Sequence, residues 1–127
     1  MSHFTRIKTK LVDLRFIKQA IEDLGYRCEE GAVNIRGYGG AQAAVQLRIP
    51  TGNAGYDIGF VQSGESYDLV ADWYGIRDIN QERLLKDITR RYAYHATRSV
   101  LEEQGFTLAQ EQVGPDEQVH LVLRRMV

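Results

Sequence analysis

Three histidines, one cysteine and seventeen carboxylates are the side chains here that could ligate a metal, move a proton or attack an electrophile. His3 lies near the N-terminus, and the periodicity places His95 in a helix and His120 in a late strand. None has a second His, Cys or carboxylate at a recognised ligand spacing, so a metal centre is not expected. His95 reads as a packed or partly exposed helix residue. His120 falls on the face opposite Val119 and Leu121, toward solvent or an interface.

Cys28 sits between Arg27 and Glu29 in a predicted strand. A reactive thiolate there needs a base from elsewhere in the fold, whereas a free cysteine packs readily as a small apolar residue. As the single cysteine, it excludes an intrachain disulfide and a multi-cysteine metal site. Asp57, Asp68 and Asp72 alternate with Tyr56, Tyr67 and Trp73 on predicted strands and form a row on the opposite face. Such a row raises a carboxyl pKa or attracts a cation when buried. A solvated outer face is the expected environment.

The glycine runs offer no nucleotide chemistry. Gly37-Tyr38-Gly39-Gly40 precedes no helix and no Gly-Lys-Ser/Thr, and Gly52-Asn53-Ala54-Gly55 lies between two predicted strands. Both read as turns rather than phosphate cradles. There is no Gly-x-Ser-x-Gly elbow. No cofactor and no enzymatic activity are expected.

The most uneven charge lies on the second predicted helix. Arg83, Lys86, Arg90, Arg91 and Arg98, with Tyr94 among them, recur at steps of three, four and seven, and Arg124 and Arg125 extend the patch. A basic stripe carrying an aromatic can hold phosphates or an RNA backbone. Glu82, Asp87, Glu102 and Glu103 share that helix, and intrahelical ion pairing accounts for the same pattern. The stripe is therefore read first as a solvated face, next as a contact for an acidic protein, and last as a nucleic-acid site.

The elements that must position these residues follow from periodicity. Residues 4–9 predict a short strand. Leu14, Ile17, Ile21 and Leu24 share one face of a helix that Asp13 caps and Gly25 stops. Residues 26–30 predict a strand, with Gly31 turning the chain into another at 33–36. Val45, Leu47 and Ile49 share one strand face; Tyr56, Ile58 and Phe60 share the next; Tyr67, Leu69, Ala71 and Trp73 share the third. Short Gly-rich connections between them favour an antiparallel meander with one buried face.

A second helix is predicted over 80–104, capped by Asp78 or Asn80 and closed by Gly105. Its inward side is Leu84, Leu85, Ile88, Tyr92, His95, Ala96, Ser99 and Val100. A hairpin about Gly114-Pro115-Asp116 ends the chain. Ala20–Tyr26 and Val100–Phe106 both run helix, acidic pair, Gly, aromatic. This repetition reflects shared helix-stop chemistry or two related helix–hairpin units.

The fold expected is thus a single α+β domain over residues 1–127: a largely antiparallel sheet, central meander plus flanking hairpins, packed on two amphipathic helices. The length suits one domain that folds without disulfide or metal. Lys+Arg 16 against Asp+Glu 17 leaves a net charge of −1, which argues against a surface built wholly for nucleic acid or anionic membrane. The N-terminus contains no apolar signal core, and no apolar run approaches the roughly 20 residues of a membrane span. A soluble protein kept where it was made is expected, without membrane insertion.

The opening Met1-Ser2-His3-Phe4-Thr5-Arg6-Ile7-Lys8-Thr9, the Asp23-Leu24-Gly25-Tyr26 step, and Arg91-Tyr92-Ala93-Tyr94-His95 leading to Gln104-Gly105-Phe106 carry a resemblance. Across nearly its whole length the chain resembles the uncharacterised domain-of-unknown-function family that includes a hypothetical chloroplast reading-frame protein of algae and its cyanobacterial relatives. The resemblance implies a cyanobacterial, plastid or related bacterial origin and a cytoplasmic or stromal location. It implies no catalytic residue, and it favours an accessory role beside an AAA-type ATPase. The leading expectation is a non-enzymatic accessory protein that binds another protein, with a homodimer among the options. The alternative is a module for RNA or a small anion on the basic helix face.

Overall fold

The computed structural model describes residues 4–113 and 119–125, with side-chain environments for residues 4–106. The expectations placed on His3, on the turn about Pro115, and on the side chains of His120, Arg124 and Arg125 lie outside the described residues.

The chain runs β1 (Thr5–Lys8), α1 (Leu14–Asp23), β2 (Glu29–Arg36), β3 (Gln42–Pro50), β4 (Asp57–Ser63), β5 (Ser66–Ala71), α2 (Gln81–Glu103), β6 (Phe106–Val113) and β7 (Val119–Arg125). Short 3-10 turns occupy Tyr38–Gly40 and Trp73–Gly75. The first five strands form one antiparallel sheet in the order β1-β5-β4-β3-β2, and β6 and β7 pair as a separate antiparallel hairpin. This is the α+β class that the alternating strands and two helical stripes predict.

Both helices are set by their ends. Asp13 Oδ1 accepts from the backbone N–H of Arg15 at 2.9 Å, and Asn80 Oδ1 accepts from Arg83 N–H at 2.9 Å, which satisfies first-turn donors the helix cannot. At the far end of α1 the Gly25 N–H reaches Glu22 O at 3.0 Å and the Tyr26 N–H reaches Ile21 O at 3.3 Å. That double closure needs a left-handed residue, and Gly25 has φ 90°. Gly105 repeats the same angle after α2.

The helices cover one face of the sheet. Ile7, Leu69, Phe60 and Leu47 stand in register across β1, β5, β4 and β3. They pack with Ile17, Ala20 and Ile21 of α1 and Leu84 and Ile88 of α2 in the main core.

Three expectations are corrected here. Residues 26–30 and 33–36 are not two strands about a turn. Glu29–Arg36 is one strand, paired to β3 at both ends, with a register shift between Glu30 and Val33. Gly31, at φ 118°, lets the strand bulge and bend without reversing it. The third alternating stretch stops at Ala71, so Trp73 belongs to a turn.

The outer face of the meander is also not solvated. Ile35 and Val45, from the bent β2–β3 hairpin, pack with Val70 in a second core joined by Phe4, Val33, Ala43 and Val61. Gly59 makes room for them: a Cβ there would lie 2.7 Å from Val45 Cγ1 and 2.9 Å from Ile35 Cγ2. The hairpin folds back over β4 and β5, so Asp57, Asp68 and Asp72 are all buried.

Candidate functional site

The basic stripe of α2 is largely spoken for by its own chain. Arg83 and Arg90 both reach Asp87, at 3.2 and 3.6 Å, and Arg98 reaches Glu102 at 2.7 Å. Lys86 is exposed. Arg91 Nε donates to Asp23 Oδ2 at 2.9 Å, and His95 Nε2 lies 2.6 Å from the same oxygen. Burial pushes the Asp23 carboxyl up, but the bonds and charges of His95 and Arg91 prevail and hold it below its ordinary value.

Tyr94 does not stand on the outward stripe: it is 7% exposed. Side chains of its own helix surround it. The Arg91 guanidinium lies 4.3 Å over its ring, His95 meets it edge-to-face at 4.9 Å, and Arg98 Nη1 donates to its hydroxyl at 3.1 Å. Conversely Val100, expected inward, is exposed. At about 100° per residue it stands about 120° round from Ile88, and it joins Ala96, Thr97 and Leu101 in a shallow apolar depression.

Tyr92 completes a clasp. Its hydroxyl accepts from the backbone N–H of Val12 at 3.2 Å and of Asp13 at 3.0 Å, and its ring meets Phe16 edge-to-face at 5.9 Å. The Arg91–His95 segment therefore fastens α2 to both ends of α1, chiefly through Asp23. Two of the segments that carry the family resemblance face each other across this joint.

The most specific surface construction lies elsewhere, under the folded-back hairpin. Asp57 is fully buried; its Oδ2 accepts from both the backbone N–H and Nε of Arg36, each at 2.9 Å, and its Oδ1 accepts from Nη2 at 3.1 Å. That pair latches the end of β2 to the start of β4. Asp72, 1% exposed, binds main chain on both sides: Oδ2 accepts from Tyr38 N–H at 3.0 Å and Oδ1 from Tyr74 N–H at 3.3 Å. One buried carboxylate thus holds the backbones of two tyrosines from different turns.

Those tyrosine rings face outward. Tyr74 is 70% exposed and Tyr38 48%, and they meet edge-to-face at 5.7 Å with planes 89° apart. Tyr56 packs beside them against Gly75, where a Cβ would fall 2.0 Å from Tyr56 Cζ. Burial first, then the charge of Asp72 and the neighbouring Tyr74 and Tyr38, push the Tyr56 hydroxyl up, with Arg77 opposing them.

The sequence places Tyr38 in a turn, Tyr56 on a strand face and Asp72 in a solvated row, and its periodicity singles out no role for Tyr74. The Gly37–Gly40 run and the Trp73-Tyr74-Gly75 step were the available signals, but only the return of the hairpin brings them together.

Cys28 is half-buried beside the main core. Burial, then Glu22, push its thiol up, Lys18 pulls the other way and Glu30 adds to the rise, leaving it at about 11. It is a protonated thiol at neutral pH, which disfavours nucleophilic chemistry. Among the described residues no three His, Cys, Asp or Glu side chains gather as a metal cage, and no helix is long and apolar enough to cross a membrane.

Comparison with known proteins places this helix-clasped α+β domain in a family. Residues 20–122 match the family described as "Protein of unknown function (DUF1257)", and the chain belongs to it. It is similar to "Uncharacterized protein ycf35" of Guillardia theta, 36% identical over 98% of both chains. The protein of the same description from Pyropia yezoensis is 31% identical and that from Cyanophora paradoxa 30%, each over 98% of both chains. No solved structure matches.

Proposed function

We propose that this protein is a non-enzymatic accessory protein that works by binding another protein, and that the Tyr38–Tyr74 pair is its contact surface. The observation that carries the reading is the use of a buried carboxylate, Asp72, to fix the backbones of two exposed tyrosines. Tyrosine offers large contact area at small entropic cost and concentrates at binding hot spots. A pair held rigidly before binding loses little more on complex formation.

An AAA-type ATPase is the partner that the resemblance favours, in a cytoplasmic or stromal setting. The other reading, an RNA or anion site on α2, is weaker because Arg83, Arg90, Arg91 and Arg98 each already hold a carboxylate. The test is quantitative co-purification from the native cell. A partner retained by an Arg90→Glu variant and lost from Tyr38→Ala/Tyr74→Ala supports the platform. Loss with Arg90→Glu alone, or no difference between the variants, overturns it.

A further inference from the structure

Among the features of this surface, the electrostatics of the tyrosine pair go furthest. Asp72 is almost fully buried, and its oxygens accept from two neutral backbone N–H groups. Among the described residues no cation is paired with it, whereas Asp57 has Arg36 and Asp68 has Arg6. The Asp72 carboxylate, whose charge is felt at Tyr56, therefore stands beneath the turns that carry Tyr38 and Tyr74. Screening by solvent is weakest at such a buried site.

The rings add to that field. The face of a tyrosine is the negative pole of its quadrupole and attracts a cation lying over it. This chain satisfies two other rings internally: Arg15 lies 4.5 Å over Phe16, and Arg91 lies 4.3 Å over Tyr94. No such stack is made on Tyr38 or Tyr74 among the described residues. Their edge-to-face contact occupies one face of one ring, and with Tyr74 70% and Tyr38 48% exposed the pair keeps ring surface open to solvent. Arg77, the local cation of this chain, is felt at Tyr56 and partly offsets the field there. Arg36 is committed to Asp57.

Resting on the protein-contact reading above, we propose that the Tyr38–Tyr74 platform receives an arginine side chain of the partner protein, its guanidinium laid on a tyrosine face above buried Asp72. A planar guanidinium suits this better than an ammonium, because it stacks on a ring while its edge remains free to hydrogen-bond.

The test uses the whole chain and a defined probe: the peptide acetyl-Gly-Gly-Arg-Gly-Gly-amide, against the same peptide with neutral citrulline for arginine. Aromatic ring resonances of Tyr38, Tyr56 and Tyr74 are followed by NMR through a millimolar titration. The arginine peptide is expected to shift Tyr38 and Tyr74 saturably, with citrulline weaker by roughly two- to fivefold, the range of an exposed cation–π contact. Tyr74→Ala is expected to abolish the shift and Tyr74→Phe to keep it, since a ring face needs no hydroxyl.

Equal shifts from both peptides, or a response unchanged in Tyr74→Ala, overturn the proposal. No shift in either titration, while the tyrosine variants still lose the cellular partner, overturns the arginine and leaves the contact standing. A saturable arginine shift with the partner unaffected by those variants overturns the contact reading instead, and with it the partner's arginine.

Discussion

Asp72 orders two separate turns at once, because each of its oxygens accepts from the backbone of a different one. Asp72→Ala leaves the backbone N–H groups of Tyr38 and Tyr74 without acceptors. The expected cost is about 1–3 kcal/mol of unfolding free energy, read from the urea midpoint, with the rings of Tyr38 and Tyr74 losing their distinct NMR environments. A variant with unchanged midpoint and unchanged ring resonances would show that the turns hold themselves. Cys28 makes a second prediction at this scale. With its thiol held at about 11, thiolate at neutral pH is rarer than in free cysteine by roughly a hundredfold. Alkylation by iodoacetamide in the folded protein is expected to be slower than that of glutathione by a comparable factor. Labelling as fast as glutathione would contradict the burial argument.

At the scale of elements, the back-folded β2–β3 hairpin separates what periodicity could reach from what it could not. The apolar steps Leu14-Ile17-Ile21 and Leu84-Ile88 and the alternation through Leu47, Ile58, Phe60 and Leu69 declare the helix-facing core directly, since each is set within its own element. The caps Asp13, Asn80 and Gly25 were legible for the same reason. The second core was not. Ile35, Val45 and Val70 meet only because β2 bulges at Gly31 and the hairpin bends over Gly59, a tertiary event with no local period. Tyr94 misled because its spacing matches an outward stripe, yet Arg91, His95 and Arg98 wrap it. Gly59→Ala tests the hairpin's position: a methyl there meets Val45 and Ile35 at under 3 Å. It is expected to destabilise by about 1–3 kcal/mol, as overpacking does. A neutral or stabilising effect in thermal melts would mean that the hairpin stands off the sheet.

The whole molecule is held across its helix pair by Asp23, Arg91 and His95, and that joint responds to acid in a definite direction. The Asp23 carboxyl is held below its unfolded value. Its contribution is therefore complete above the ordinary carboxylate pKa, near 4, and is lost as pH falls through the lower folded value. Asp23→Asn is expected to reduce stability at neutral pH and to flatten its fall below about pH 4, measured by urea unfolding across pH. An acid limb as steep as in the parent chain would assign that loss to other carboxylates.

The platform itself is judged most directly by mapping contact in the living cell. A photo-crosslinking amino acid placed at Tyr74, and separately at Lys86 on the outer face of α2, reports which surface touches a partner. A discrete covalent adduct is expected from position 74 and none from position 86. An adduct at 86 with none at 74 would contradict it.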